Sequence, residues 1–216
     1  MNRIRQFIST TFLIAACAGS AWANGLKSLE NFLQSIQTGR AEFSQTVTSP
    51  SRAGQAPKVK NSGGSFEFAR PNRFKFVYKK PFEQTLVADG QTLWMHDVDL
   101  NQVTASKQAN VLANTPAALI AASADIKALQ QHYTLQALPD ADGLAWVSAT
   151  PKAKDGNLQT MRVAFKTLSG ELAELDILDS FGQRSVLKFA KVESNPALAK
   201  DTFDFKPPAG VDVVKQ

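Results

Sequence analysis

The sequence predicts a mainly β fold of the α+β class, an antiparallel meander of about eleven strands curled into a barrel or half-barrel with a helical lid. Three observations carry this. Short segments with period-two alternation recur along the chain and are separated by turn signals such as Asp89-Gly90, Ser169-Gly170 and Phe181-Gly182. Helical patterning is confined to a stretch before the first strand and another in the middle. An open sheet of this size does not stay flat, and curling reduces its exposed edges.

The N-terminus comes first. Asn2-Arg3-Ile4-Arg5 is basic, Phe7 to Ala18 is mostly apolar, and Ala21-Trp22-Ala23 has the small-x-small form of a signal-peptidase site. The reading is a cleaved leader over 1–23 and one mature domain over 24–216, soluble and exported. Removing the leader takes away two arginines and leaves 22 basic against 19 acidic residues, a mild net charge of +3. Cys17, the single cysteine, lies in the leader, so the mature chain has neither thiol nor disulfide. Ile14-Ala15-Ala16-Cys17 also loosely resembles a lipobox, which would instead make Cys17 a lipidated N-terminus.

Leu26, Leu29, Phe32, Leu33 and Ile36 follow three- and four-residue steps and give an amphipathic first helix ending near Gly39. Residues 41–47 alternate, with Ala41, Phe43 and Val47 on one parity. The stretch 49–64, SPSRAGQAPKVKNSGG, reads as a mobile connection. Strands follow at 66–69, 73–79, 84–88, 91–96 and 101–106. Thr115 and Pro116 suit the start of a helix over the small, apolar residues 117–122, and 125–131 forms a second short helical stretch. Strands resume at 133–138, 144–149, 158–167, 171–178 and 184–192, and 203–211 reads as one more short strand and a tail.

Catalytic patterns are missing. His96 and His132 are the only histidines, 36 residues apart with no cysteine near either, a poor start for a metal site. The carboxylates Asp97 and Asp99, and those between Glu171 and Asp179, sit at turns or strand ends where solvation is the ordinary reading. There is no nucleophile elbow, P-loop or dinucleotide fingerprint. The chain reads as a binding protein without cofactor, not an enzyme.

The densest feature is FEFARPNRFKFVYKK over 66–80. Aromatics alternating with lysines suit a nucleic-acid platform, an ordinary sheet core or a cavity that receives an apolar guest. Export disfavours nucleic acid. Phe74, Phe76 and Tyr78 share one strand face, and with Phe43, Phe66 or Phe68, and Trp94 they would line a cavity or simply form a core. Leu119 and Ile120 would lie under the lid or pack it down. Arg70 is either a solvated turn residue before Pro71 or a donor to lid carbonyls.

The chain also resembles the LolA-type periplasmic carriers of outer-membrane lipoproteins in Gram-negative bacteria. The resemblance rests on AEFSQTV at 41–47, Arg70-Pro71-Asn72 with Phe74, LVADGQTLW at 86–94, Asn114-Thr115-Pro116 through Ala121, Pro151 to Leu158, and Phe203-Asp204-Phe205 with PPAGV at 207–211. It implies an unclosed half-barrel covered by helices around an apolar cavity for acyl chains. It also implies acylated lipoproteins as cargo, an inner-membrane ABC transporter that releases them and an outer-membrane receptor that takes them. It makes Arg70 the lid latch, with Phe74 beside it as the second functional residue. A monomer is the default. The rival expectations are an outer-membrane-anchored receptor of the same fold, if Cys17 is lipidated, and a periplasmic regulator that senses lipid or lipoprotein. The basic Lys75, Lys79 and Lys80, and the 49–64 stretch, depart from the family pattern.

Overall fold

The computed structural model describes residues 24–51, 54–111, 121, 125–154 and 156–216. The leader, Cys17, Leu119 and Ile120 lie outside these residues.

After helix α1 (Gly25–Ser35) the chain runs through β1 (Thr38–Ser49), β2 (Lys58–Ala69), β3 (Arg73–Lys80), β4 (Gln84–Ala88), β5 (Thr92–Asp97) and β6 (Gln102–Lys107). Two short helices follow, α2 (Gln108–Val111) and α3 (Ile126–His132). A second meander comprises β7 (Tyr133–Ala137), β8 (Leu144–Pro151), β9 (Leu158–Lys166), β10 (Leu172–Asp179) and β11 (Arg184–Ser194), and β12 (Asp212–Lys215) ends the chain. All twelve strands belong to one sheet, in the order β12-β6-β5-β4-β3-β2-β1-β11-β10-β9-β8-β7. Antiparallel pairing of β1 with β11 joins the meanders, while β12 and β7 are left as the two edges, so the sheet is unclosed.

Two expectations are corrected. Residues 58–64 are strand, paired residue by residue with β1 from Ser49↔Lys58 to Phe43↔Gly64. Their polar, glycine-rich composition is tolerated because β1 supplies the ladder partners. Gly64 is required there, since a Cβ would overlap the carbonyl of Val77 on β3. At the other end, 203–211 is not a strand, because Pro207 and Pro208 cannot donate to a ladder. The strand comes after Gly210, with Asp212–Lys215 parallel to β6.

Alternation sorts the side chains. Ala41, Phe43, Phe66, Phe68, Phe74 and Phe76 all join the main core on the concave face, together with Val147, Met161, Val163, Phe165, Leu175 and Leu187 from the second meander. Helix α1 covers part of this face. Its buried side is Leu29, Phe32 and Leu33, and the Phe32 ring lies 5.4 Å from Phe165 and 6.0 Å from Phe68. Gly39 lets Phe68 settle, because any Cβ there would overlap that ring. Helix α3 starts on Asp125, whose carboxylate accepts Ala128 N at 2.8 Å, and buries Leu129 in the same core.

Candidate functional site

The aromatic stretch over 66–80 folds into the β2–β3 hairpin. Direct cross-strand pairing sets Phe66 opposite Phe76 and Phe68 opposite Phe74. The rings form a continuous cluster, with Phe66–Phe76 at 4.4 Å, Phe43–Tyr78 at 5.0 Å and Phe43–Phe76 at 5.5 Å between centroids. Six of the seven aromatics expected at a cavity therefore do meet on one face. Phe43, Phe66, Phe68, Phe74 and Phe76 are buried in the core with Tyr78 packed against it, and of these Phe74, Phe76 and Tyr78 also border an apolar cavity of about 320 Å³.

Leu86, Leu93, Val47, Ile177, Leu187 and Gln45 complete much of its wall. None of these six was singled out from sequence, although Val47 shares its parity with Phe43 and Leu86 sits opposite Phe76. Gln45 is held at the edge by Ser185 Oγ, 2.6 Å from its Nε2, and by Ser62 Oγ, 3.3 Å from its Oε1. Burial pushes the Tyr78 hydroxyl up to about 12, so it stays protonated throughout the physiological range. A larger groove of about 740 Å³ beside β1 and β2 has in its lining the pairs Arg40–Glu193 and Lys191–Glu42, together with Lys79 and Lys80.

Trp94 does not join the concave cluster. It pairs across the ladder with Val87 and packs on the convex face with Val87, Ala69, Leu198 and Phe205, its ring 5.6 Å from that of Phe205. Its Nε1 donates to Asp89 Oδ2 at 2.9 Å. Burial opposes the Asp89 carboxylate, but this bond and those from the Thr92 and Gln91 amides outweigh it and hold its pKa below the usual value. Leu93, one residue earlier, is the β5 side chain that faces the cavity.

Arg70 is not a solvated turn residue: only 9% of it is exposed. Its Nε donates to Ile36 O at 2.8 Å, where α1 has just ended, and its backbone N donates to Gln37 O at 2.8 Å. The guanidinium lies over the rings of Phe32 (5.2 Å) and Phe68 (5.5 Å). Burial pushes it down to about 10, which leaves it charged at neutral pH. Asn72, in the left-handed region at φ +64°, donates its N–H to Ala121 O at 3.0 Å, so the same turn reaches the segment between α2 and α3.

Gln108 was not foreseen. Buried to 2% exposure at the start of α2, it donates Nε2 to Asn72 O at 2.6 Å and accepts Gly90 N on Oε1 at 3.0 Å. One amide thus ties the β2–β3 turn to the β4–β5 turn. Its role depends on turns distant in sequence, and no local pattern marks it.

Among the described residues there is no group of three or more His, Cys, Asp or Glu placed to hold a metal ion. No helix among them is long and apolar enough to cross a membrane.

The family model for outer membrane lipoprotein carrier protein LolA matches residues 34–206. A protein of Albidiferax ferrireducens named outer-membrane lipoprotein carrier protein is 64% identical over 208 residues, covering 95% of this chain and 98% of its own. One of the same name from Leptothrix cholodnii is 50% identical over 211 residues, covering 98% and 95%. Among solved structures, a LolA superfamily protein from Nitrosomonas europaea matches with a TM-score of 0.44 at 12% identity, over 82% of this chain and 94% of that one.

Proposed function

The chain belongs to the LolA family of outer membrane lipoprotein carrier proteins, and from that premise we propose that it binds the acyl chains of lipoproteins on its concave face. The proposal extends to the route: cargo leaves the inner membrane through an ABC transporter, crosses the periplasm on this protein and passes to an outer-membrane receptor. Residues 1–23 are then a cleaved export leader and 24–216 a single monomeric carrier unit. The function is binding, with no catalysis.

The observation that carries this reading is the apolar cavity bounded by Phe74, Phe76 and Tyr78. Each methylene moved from water into such a site contributes about 0.8 kcal/mol, so about ten shielded methylenes supply roughly 8 kcal/mol, near micromolar affinity. Its size sets a second condition. A cavity of about 150 Å³ admits one benzene ring, so 320 Å³ has room for one chain of about a dozen carbons. Cargo with several acyl chains therefore requires the helices to move off the sheet.

Arg70 suits a latch for that motion, because it fixes the β2–β3 turn to the end of α1 through Ile36 O. Release then needs two states of similar energy that a partner can tip. Replacing Arg70 by Leu removes the bond and weakens the closed state, and the variant should retain bound lipoprotein and pass less of it to the receptor. The test is transfer of a purified lipoprotein from carrier to receptor-bearing outer-membrane vesicles. Hand-over by Arg70→Leu at the parent rate would remove the latch. Intact mass of the protein isolated from periplasm tests the wider reading: a chain starting at Asn24 with a detergent-releasable acylated partner supports it. An acylated Cys17 at its own N-terminus would make it an anchored receptor instead.

A further inference from the structure

The apolar cavity does not end at Tyr78. Gln45, Val47 and Tyr78 also wall an adjoining cleft of about 500 Å³ where the concave face reaches the open end of the strands. Its chemistry is different. Lys60 on β2 and Lys80 at the end of β3 stand on one side, and Asp97 at the end of β5 and Asp99 in the turn after it stand on the other. β4 separates β3 from β5 and Asp97 registers through Gln84 with Tyr78, so the backbone of Lys80 is two ladder spacings across from that of Asp97, about 10 Å, and two residues further along the strand. Among the described residues none of these four is ion-paired with another. Asp97 Oδ1 accepts Leu100 N at 3.1 Å.

Two lysines facing two aspartates across an open cleft, with an acyl-sized cavity beneath, discriminate between head groups. A neutral head satisfies neither wall. An anionic head suits the lysines and is repelled by the aspartates. A head with separate phosphate and ammonium ends satisfies both. The cavity below holds one chain of about a dozen carbons without movement of the helices.

We propose that the closed protein binds single-chain zwitterionic amphiphiles of the lysophospholipid class. The tail occupies the Phe74–Phe76–Tyr78 cavity, the phosphate meets Lys60 and Lys80, and the ammonium meets Asp97 and Asp99. This rests on the acyl-binding reading of the cavity given above and adds a head-group site to it. Such a ligand occupies the cavity that the acyl chains of cargo would enter, so it competes with loading.

Three probes with a twelve-carbon tail decide it, titrated calorimetrically below their micelle concentrations into the delipidated mature protein: lauroyl-lysophosphatidylethanolamine, monolaurin and dodecyl phosphate. The zwitterion should bind about tenfold more tightly than monolaurin, as expected for two partly exposed ion pairs. Lys60→Gln with Lys80→Gln should bring it down to the monolaurin level, whereas Asp99→Asn should weaken the zwitterion and strengthen dodecyl phosphate. Equal binding of all three probes, or a ranking unchanged in the lysine variant, would overturn the proposal. A triacylated lipopeptide titrated in parallel separates the two levels. If it binds and the head groups are not distinguished, only the head-group site falls; if neither it nor any probe binds, the acyl reading falls as well.

Discussion

The two faces of the sheet around β2–β5 are both apolar, and they differ in what covers them. On the convex face Ala69, Val87 and Trp94 are sealed by the protein's own tail through Leu198, Phe203 and Phe205. Arg73 adds its guanidinium 5.5 Å over the Phe203 ring, and Asn195 pins the start of the tail by accepting Gln37 N at 2.7 Å and donating to Ser35 O at 2.9 Å. On the concave face Phe66 and Phe68 lie in the core that α1 covers, and Phe74 and Phe76, in the same core, border with Tyr78 an apolar cavity that none of the described residues fills. A face closed by covalently attached chain contributes to stability. A face left partly unfilled loses dispersion contacts that a guest can restore. The difference separates the part of the molecule that holds the fold from the part available for binding.

The comparison breaks most visibly at Phe203. Truncation to Ala removes a buried ring from the convex seal and should cost about 3–5 kcal/mol in a denaturant titration. A loss no larger than that of a surface substitution would mean that the tail is a dispensable cover. A smaller effect is expected from pH. The pKa of Tyr78 is raised from 10.0 to about 12 by burial, so its contribution is fully present below pH 10 and is lost as pH rises towards 12. The parent should lose up to about 2 kcal/mol over that window, and Tyr78→Phe should show a shallower decline. Tyr133, also pushed up by burial, accounts for part of what remains. An identical decline in the variant would place the Tyr78 hydroxyl in water. The smallest effect belongs to Leu93→Ala. Its half-buried side chain already borders the cavity, so the stability loss should fall below the roughly 2–5 kcal/mol of a fully buried Leu→Ala, while affinity for an acylated ligand falls measurably.

Local patterns made a large part of this legible. The steps from Leu26 to Ile36 marked α1, Asp89-Gly90 marked the β4–β5 turn, and alternation over 73–79 placed Phe74, Phe76 and Tyr78 on one face. Trp94 was misplaced because Leu93-Trp94-Met95 is an unbroken apolar run, which has no readable inner side. Only the tail, about a hundred residues further on, makes the convex side of β5 apolar. Residues 58–64 were missed for a similar reason: their strand character comes from β1 and not from their own composition. Arg70 was ambiguous from spacing because its partner, Ile36 O, lies 34 residues away. Gln108 carried no signal, since its two partners sit in separate turns.

Neighbouring residues on opposite faces give the most direct test of acyl binding on the concave side. A photo-reactive amino acid is placed at Leu93 in one variant and at Trp94 in another, each is loaded with a lipoprotein carrying isotope-labelled acyl chains, and cross-links to the label are counted after illumination. Labelling from position 93 and only background from position 94 is expected. Equal labelling, or labelling from 94 alone, would contradict a binding site on the concave face.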